Sequence, residues 1–193
     1  MTRSIIIGLG GPKHHGKSLA ADIIEEISGL NFVRMSFAKP LKQMMVDVHA
    51  EFPELFQMAD EDVASIWSSN KTSRAREVAQ GLGTNIGRRI DEDIWVKVFI
   101  RQWEKAGRPN CIIDDVRFPN ELHCFENTDG VDFFSIRILR NKLMHEIGKD
   151  MHPSETAVKD EDFLYIIKSD EGKEEMLKHI SKVYDDIKGV IND

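Results

Sequence analysis

Eight residues near the N-terminus carry the clearest chemistry: Gly11-Pro-Lys-His-His-Gly16-Lys17-Ser18. The spacing G-x-x-x-x-G-K-S is that of a loop whose backbone N–H groups wrap phosphate oxygens. Gly11 and Gly16 let the backbone approach an anion in conformations closed to bulky residues. Lys17 is placed to reach the β- and γ-phosphates of a bound nucleotide, and the Ser18 hydroxyl to ligate Mg²⁺; GTPase switches, motor ATPases and small-molecule kinases all use such a loop. Leu19 and the residues after it open a helix whose N-terminus adds positive potential. His14 and His15 stand inside the loop. Adjacent side chains seldom chelate one ion, so both are expected as exposed loop residues that tune phosphate contact.

A second acidic signal lies at Cys111-Ile-Ile-Asp-Asp115. It ends a short apolar run in carboxylates, where phosphate-loop proteins hold Mg²⁺. Neighbouring strand residues point to opposite faces, so one of Asp114 and Asp115 is expected to face the cradle. Arg117 follows two positions later. Further arginines, Arg74, Arg76, Arg88, Arg89, Arg137 and Arg140, fall in segments expected on the ligand side. Phosphoryl transfer needs positive groups around donor, acceptor and moving group. The planar arginine fork binds phosphate oxygens two at a time. No N-K-x-D guanine-reading motif occurs.

The elements that must position these residues follow from hydrophobic periodicity. Ile5, Ile6, Ile7 and Leu9 form a β-branched run that predicts a buried strand. Phe32–Phe37, Cys111–Asp114, Asp132–Leu139 and Phe163–Ile167 predict four more. Leu19, Ala20, Ile23, Ile24 and Ile27 share one helical face, with Ser28-Gly29 as its stop. Met176, Leu177, Ile180, Val183, Tyr184 and Ile187 repeat that pattern. Asp91 or Asp93 caps a helix carrying Ile94, Trp95, Val98 and Phe99 that stops near Gly107. Pro119 opens a helix containing Leu122 and Phe125. Strands alternating with helices predict an α/β architecture: three layers around a central five-stranded parallel sheet. More than seventy residues separate the second and third strands. They read as a helical insertion at the carboxyl edge of the sheet, where such proteins bind ligands.

Composition narrows the class. The chain has 193 residues, enough for one domain with a core. With 26 basic and 33 acidic residues it carries a net charge of −7, which argues against stable nucleic-acid binding. No apolar run is long enough for a membrane span, and the start is too short in apolar residues for a signal peptide. A cytoplasmic location is expected. Cys111 and Cys124 form no metal or redox motif and are expected as reduced thiols. An exposed apolar patch would indicate a homodimer.

Five segments in order resemble phage-type deoxynucleoside monophosphate kinases, within the nucleoside monophosphate kinase group of P-loop proteins. They are GPKHHGKS at 11–18, SFAKPLK at 36–42, REVAQGLGTNIGRRIDEDIWV at 76–96, DVRFPNE at 115–121 and HPSE at 152–155. The resemblance implies a single P-loop kinase domain over 1–193. It further implies a helical acceptor-binding insertion at about 39–106 and a small lid at about 140–156. The implied reaction moves the γ-phosphoryl group of ATP to a deoxynucleoside monophosphate. The alternatives are a kinase of another small metabolite and a non-catalytic nucleotide-binding module.

Carried over by position, the resemblance assigns ATP and Mg²⁺ to Lys17 and Ser18, within a cradle of Gly11, His14, His15, Gly16 and Leu19. Asp115 would support the metal and Arg117 would contact phosphate. Lys42 begins the acceptor region. Arg76, Gln80, Thr84 and Arg88 match the acceptor-binding stretch, with Trp95 packed beneath it. Arg140 lies where the lid begins, and His152 and Glu155 at its far side. Lys17, Arg88, Asp115, Arg117 and Arg140 would be the catalytic set. Asn85 stands where many relatives carry Glu.

Overall fold

The computed structural model describes residues 3–68, 70–146, 152–170 and 172–192. Its chain order is β1 (Ser4–Gly10), α1 (Lys17–Ser28), β2 (Val33–Met35), α2 (Lys39–Glu51), α3 (Asp60–Ser65) and α4 (Ser73–Gln80). A π-helix (Gly81–Gly87) then leads into α5 (Arg88–Ile90), α6 (Ile94–Lys105), β3 (Cys111–Val116), α7 (Pro119–Leu122) and β4 (Val131–Leu139). A 3₁₀ turn (Asn141–Glu146), α8 (Pro153–Thr156), a second 3₁₀ turn (Asp160–Asp162), β5 (Tyr165–Lys168) and α9 (Lys173–Asn192) complete it. Two compact units emerge: residues 1–36 with 103–193, and residues 37–102.

The first unit is built on a five-stranded sheet in the order β2-β3-β1-β4-β5, with every neighbouring pair parallel. The expected sheet is therefore present. β1 is central and buried along its whole length, which explains its unbroken apolar run. Strand alternation sends Ile5, Ile7 and Leu9 to one face. There they meet Ile23 and Ile24 of α1 and Met176, Ile180, Tyr184 and Ile187 of α9. α1 stops where Gly29 takes a left-handed φ of 64°, as the Ser28-Gly29 pair predicts. On the other face, Phe133 beside Ile6 stacks on Phe125, which meets Trp103 edge-on at 5.4 Å. α7 is shorter than expected and ends at Leu122, so Phe125 lies in the turns beyond it. Those turns still deliver the ring to the core, where it is buried.

The second unit is mostly helical. Leu41 and Met45 of α2, Met58, Ile66, and Ala75 and Val78 of α4 form its core, with Trp95 packed against them. Thr72 caps α4 by accepting the Ala75 N–H at 3.2 Å, and its own hydroxyl donates to Asp62 at 2.5 Å. Among the described residues, no helix is long and apolar enough to cross a membrane.

Both cysteines are free thiols. Burial pushes Cys111 up to about 12, and burial beside Glu121 raises Cys124 as well. Since the thiolate is the reactive form, native protein at pH 8 should be alkylated by iodoacetamide at least about 100-fold more slowly than a free thiol. Urea should release both sites. Mass spectrometry of the two samples checks this, and rapid labelling of native protein would contradict it.

Candidate active site

The phosphate loop runs from the end of β1 to the start of α1. Gly11 takes φ 136°, and a Cβ there would sit 2.3 Å from the Ile138 carbonyl oxygen of β4, so only glycine fits. Gly16 takes φ 101° as the residue before α1. The first turn of α1 has neither an acidic residue nor a side-chain cap, which keeps its N–H donors available to an anion. His14 is exposed with φ 65°, in the left-handed region that histidine tolerates better than most residues. Ser18 is exposed on the first helical turn, whereas Leu19 packs into the sheet's helical face and offers the loop only its backbone.

His15 departs from expectation. It is 1% exposed, and its Nδ1 accepts the Arg140 N–H at 2.9 Å. A buried imidazole needs such a partner, and the loop turns inward to reach it. The Arg140 side chain extends over the loop, with Nη2 and Nε 3.7 and 3.8 Å from where a Gly16 Cβ would stand.

Lys17 bends back along its own loop, donating to the carbonyls of Gly11 and Pro12 at 2.8 Å each. Burial lowers its pKa to about 8. Arg117 and Arg137 act in the same direction, while Glu155 and Asp114 oppose them. The lowering is mainly the cost of keeping an ammonium out of water, with the two arginines adding to it.

The acids come from the end of β3. The pairing of β3 with β1 slips here: Gly8 lies opposite Ile113, but Gly10 lies opposite Val116. One residue of β1, Leu9, thus faces two of β3, Asp114 and Asp115. Simple alternation does not assign them across such a bulge. Asp114 acts electrostatically on Lys17 and on Arg34. Asp115 accepts the Ser36 hydroxyl at 2.7 Å.

Arg117 is held from two sides. Its backbone N–H donates to Glu121 Oε2 at 2.7 Å, which fixes the start of α7. Its guanidinium donates to the Ser154 carbonyl at 2.9 Å and to the Glu155 carboxylate. The HPSE segment is ordered by His152, whose Nδ1 accepts the Ser154 N–H at 3.2 Å. His152 and Glu155 therefore sit beside Arg117, while residues 147–151 of the expected lid lie outside the described residues.

Arg137, one of the arginines expected on the ligand side, belongs to this cluster. Its side chain is 7% exposed, pairs with Asp160 at 3.1 Å and lies 5.2 Å over the Phe163 ring. An arginine between Ile136 and Ile138 in a buried strand was the available signal, because such a charge is rarely buried without a partner.

The acceptor-stretch residues lie in the second unit. Arg76, Gln80, Thr84 and Arg88 are all half-buried along the helix that runs from α4 through the π-helix to α5. Arg88 donates to the Glu92 carbonyl at 3.0 Å. Trp95 donates its indole N–H to the Gly83 carbonyl at 2.8 Å. Lys42 lies 5.6 Å over the Trp67 ring. Arg74 serves the scaffold instead, bonding the Phe56 carbonyl and Glu77. Arg89 is exposed.

Among the described residues, no three His, Cys, Asp or Glu side chains gather as a metal cluster. The available donors are oxygens: the Ser18 hydroxyl and the carboxylates of Asp114 and Asp115. That set fits Mg²⁺, which is usually held by one or two protein oxygens together with phosphates and water.

The chain matches the deoxynucleotide monophosphate kinase family over residues 47–180. It is 31% identical over 86 residues to a deoxynucleoside-5′-monophosphate kinase of Escherichia phage T5, covering 43% of this chain and 34% of that protein. The chain thus spans about a third of the length of that curated relative. Among solved structures, it resembles dephospho-CoA kinase from Campylobacter jejuni with a TM-score of 0.45 and 14% identity, over 97% of this chain and 98% of that one. With more than half of its length matched, the chain belongs to the deoxynucleotide monophosphate kinase family.

Proposed function

We propose that this protein transfers the γ-phosphoryl group of ATP to a deoxynucleoside 5′-monophosphate, giving ADP and the deoxynucleoside diphosphate. The carrying observation is the cationic crowd at the phosphate loop. Lys17 lies beside Arg117 and Arg137, whose charges act on it, and Arg140 extends over Gly16. Lysine and arginine side chains gathered at a glycine-rich loop suit the phosphates of a nucleotide, although Glu155 and Asp160 pair with two of them.

The acceptor phosphate oxygen is already a competent nucleophile at neutral pH, so no general base is required. Its bond to the γ-phosphorus forms as the bond to the β-bridging oxygen breaks, and the electrons leave on ADP. Loop N–H groups and Lys17 hold the donor phosphates. Arg117 and Arg140 neutralise charge on the transferring group. Ser18, with Asp115, would hold Mg²⁺, and Asp114 stands beside Lys17 as a further carboxylate. An ion held there would supply positive charge against the phosphate oxygens. The lid that the resemblance assigns to about 140–156, of which residues 147–151 lie outside the described residues, would exclude water and so limit ATP hydrolysis. The insertion supplies acceptor binding through Lys42, Arg76, Gln80, Thr84 and Arg88. Free nucleotides as substrates fit a cytoplasmic enzyme.

The deciding experiment follows ADP formation from ATP and Mg²⁺ with dAMP, dCMP, dGMP, dTMP and the ribonucleotides each added separately. Strong stimulation by a deoxynucleotide, with its diphosphate as product, supports the proposal. ATP binding without stimulation by any nucleotide overturns the acceptor. Arg88→Ala should raise the acceptor KM about 10- to 100-fold and leave the ATP KM within about twofold. Equal rises in both constants would remove Arg88 from acceptor binding.

A further inference from the structure

Residues 73–90 form one continuous helix of changing width. α4 is an ordinary α-helix, Gly81–Gly87 is a π-helix, and α5 tightens again. Gly81 and Gly87 keep right-handed helical angles at both junctions, with φ/ψ of −59°/−52° and −57°/−53°. A π-helix of seven residues is unusual, because most are single-turn bulges, and these occur frequently at functional sites.

The side chains along this helix repeat every four residues. Ala75, Ala79, Gly83 and Gly87 make a small-residue stripe, of which Ala75, Gly83 and Gly87 are buried. Beside it run Arg76, Gln80, Thr84 and Arg88, each half-buried, while Glu77, Asn85 and Arg89 are exposed. In an α-helix of 3.6 residues per turn, each step of four rotates a side chain forward by about 40°. Three such steps would swing Arg88 about 120° away from Arg76. A π-helix has about 4.4 residues per turn, so the same step falls back by about 33°. One α step followed by two π steps leaves a net offset of only about 25°. The π-helix thus turns a drifting set into a column.

Trp95 of α6 holds that column. Its Nε1–H donates to the Gly83 carbonyl at 2.8 Å. Its ring lies so close that a Cβ on Gly87 would meet it at 3.0 Å. A Cβ on Gly83 would meet Leu41 at 2.8 Å. The small stripe is pressed against Leu41 and Trp95, and the single indole donor satisfies a carbonyl of the widened turn.

We infer that Trp95 is a positioning residue that, by holding the Gly81–Gly87 π-helix, aligns Arg76, Gln80, Thr84 and Arg88 into one column that reads the acceptor monophosphate. The inference rests on the acceptor role proposed above for these four residues. Guanidinium groups beside neutral hydrogen-bonding groups suit a phosphate carried on an uncharged nucleoside.

The test is steady-state kinetics with whichever of dAMP, dCMP, dGMP and dTMP best stimulates ADP release. Trp95→Phe keeps a ring and removes the donor. It should raise the acceptor KM about tenfold, with kcat and the ATP KM within about twofold. Gly87→Ala pushes a Cβ onto the same ring and should give the same pattern; it carries the test if Trp95→Phe does not fold. In the double variant Trp95→Phe/Arg88→Ala, the acceptor KM should rise by less than the product of the single effects, because both act through one column. An unchanged acceptor KM in a folded Trp95→Phe protein overturns the inference. Equal rises in both KM values, or a fall in kcat alone, overturn it too, because they assign Trp95 to general structure. A wild-type protein that no deoxynucleotide stimulates removes the acceptor reading itself, and the inference with it.

Discussion

Lys17→Ala should lower ADP formation by about 10³-fold or more, the largest effect of any single substitution here. The ammonium sits at the N-terminus of α1 amid Arg117 and Arg137, and donates to the carbonyls of Gly11 and Pro12. Phosphate oxygens compete for those N–H donors with full negative charge and should win, because charge-assisted hydrogen bonds are about twice as strong as neutral ones. Alanine leaves nothing to offset charge on the β–γ bridge as it breaks. The loss should not come from unfolding. Burial holds the folded-state pKa near 8, below the ordinary 10.5 of an unfolded lysine. Between those values the unfolded chain binds more protons, so stability rises with pH there. Below about 8 the buried charge opposes folding. Lys17→Ala should therefore match or exceed the wild-type melting temperature at pH 7. The same pKa predicts that wild-type turnover at low ATP falls as pH rises through about 8, because the free enzyme loses the charge that captures phosphate. A melting temperature well below wild type, or turnover within tenfold of it, would contradict the assignment.

The second large effect is expected at Arg117. Arg117→Ala should reduce kcat about 10²- to 10³-fold, in the range for losing one preorganised donor to transition-state charge. The guanidinium lies between Lys17, on which its charge acts, and the HPSE segment, where Ser154 and Glu155 hold it. Glu155→Gln keeps the shape and removes the charge that orients Arg117. Its kcat should fall only about tenfold, since the Ser154 carbonyl still accepts from the arginine. The Lys17 pKa should drop further in Glu155→Gln, because Glu155 raises it. The alkaline fall in turnover should then move to lower pH. Arg117→Ala should move it the opposite way. Kinetics across pH 6–10 on the three proteins separates these outcomes, and identical alkaline limbs would detach the HPSE segment from Lys17.

What was legible from sequence is local in its physics. The phosphate loop depends on two glycines, a lysine and a serine within eight residues, following a β-branched run and opening an amphipathic helix. Periodicity located all five strands and the helices α1, α6 and α9, because a strand buried on both faces and a helix buried on one need different patterns. α2 was legible only as part of a helical insertion. The acceptor and HPSE segments were legible only by resemblance, since nothing in their spacing states a chemistry.

Tertiary structure decided the rest, through contacts between residues far apart in the chain. His15 reads as an exposed loop residue until β4 brings the Arg140 N–H to it. Asp114 and Asp115 cannot be sorted by alternation, because the slip against β1 appears only when the two strands pair. Arg137 joins the cationic crowd through Asp160 and Phe163, both more than twenty residues away. The four-residue repeat from Arg76 to Arg88 would drift around an ordinary α-helix. It becomes a column because Trp95 and Leu41 pack on Gly83 and Gly87 and stabilise a wider turn than local propensity favours. Sequence pointed to candidate site residues and to most of the elements that carry them. Long-range packing decided their partners and their burial.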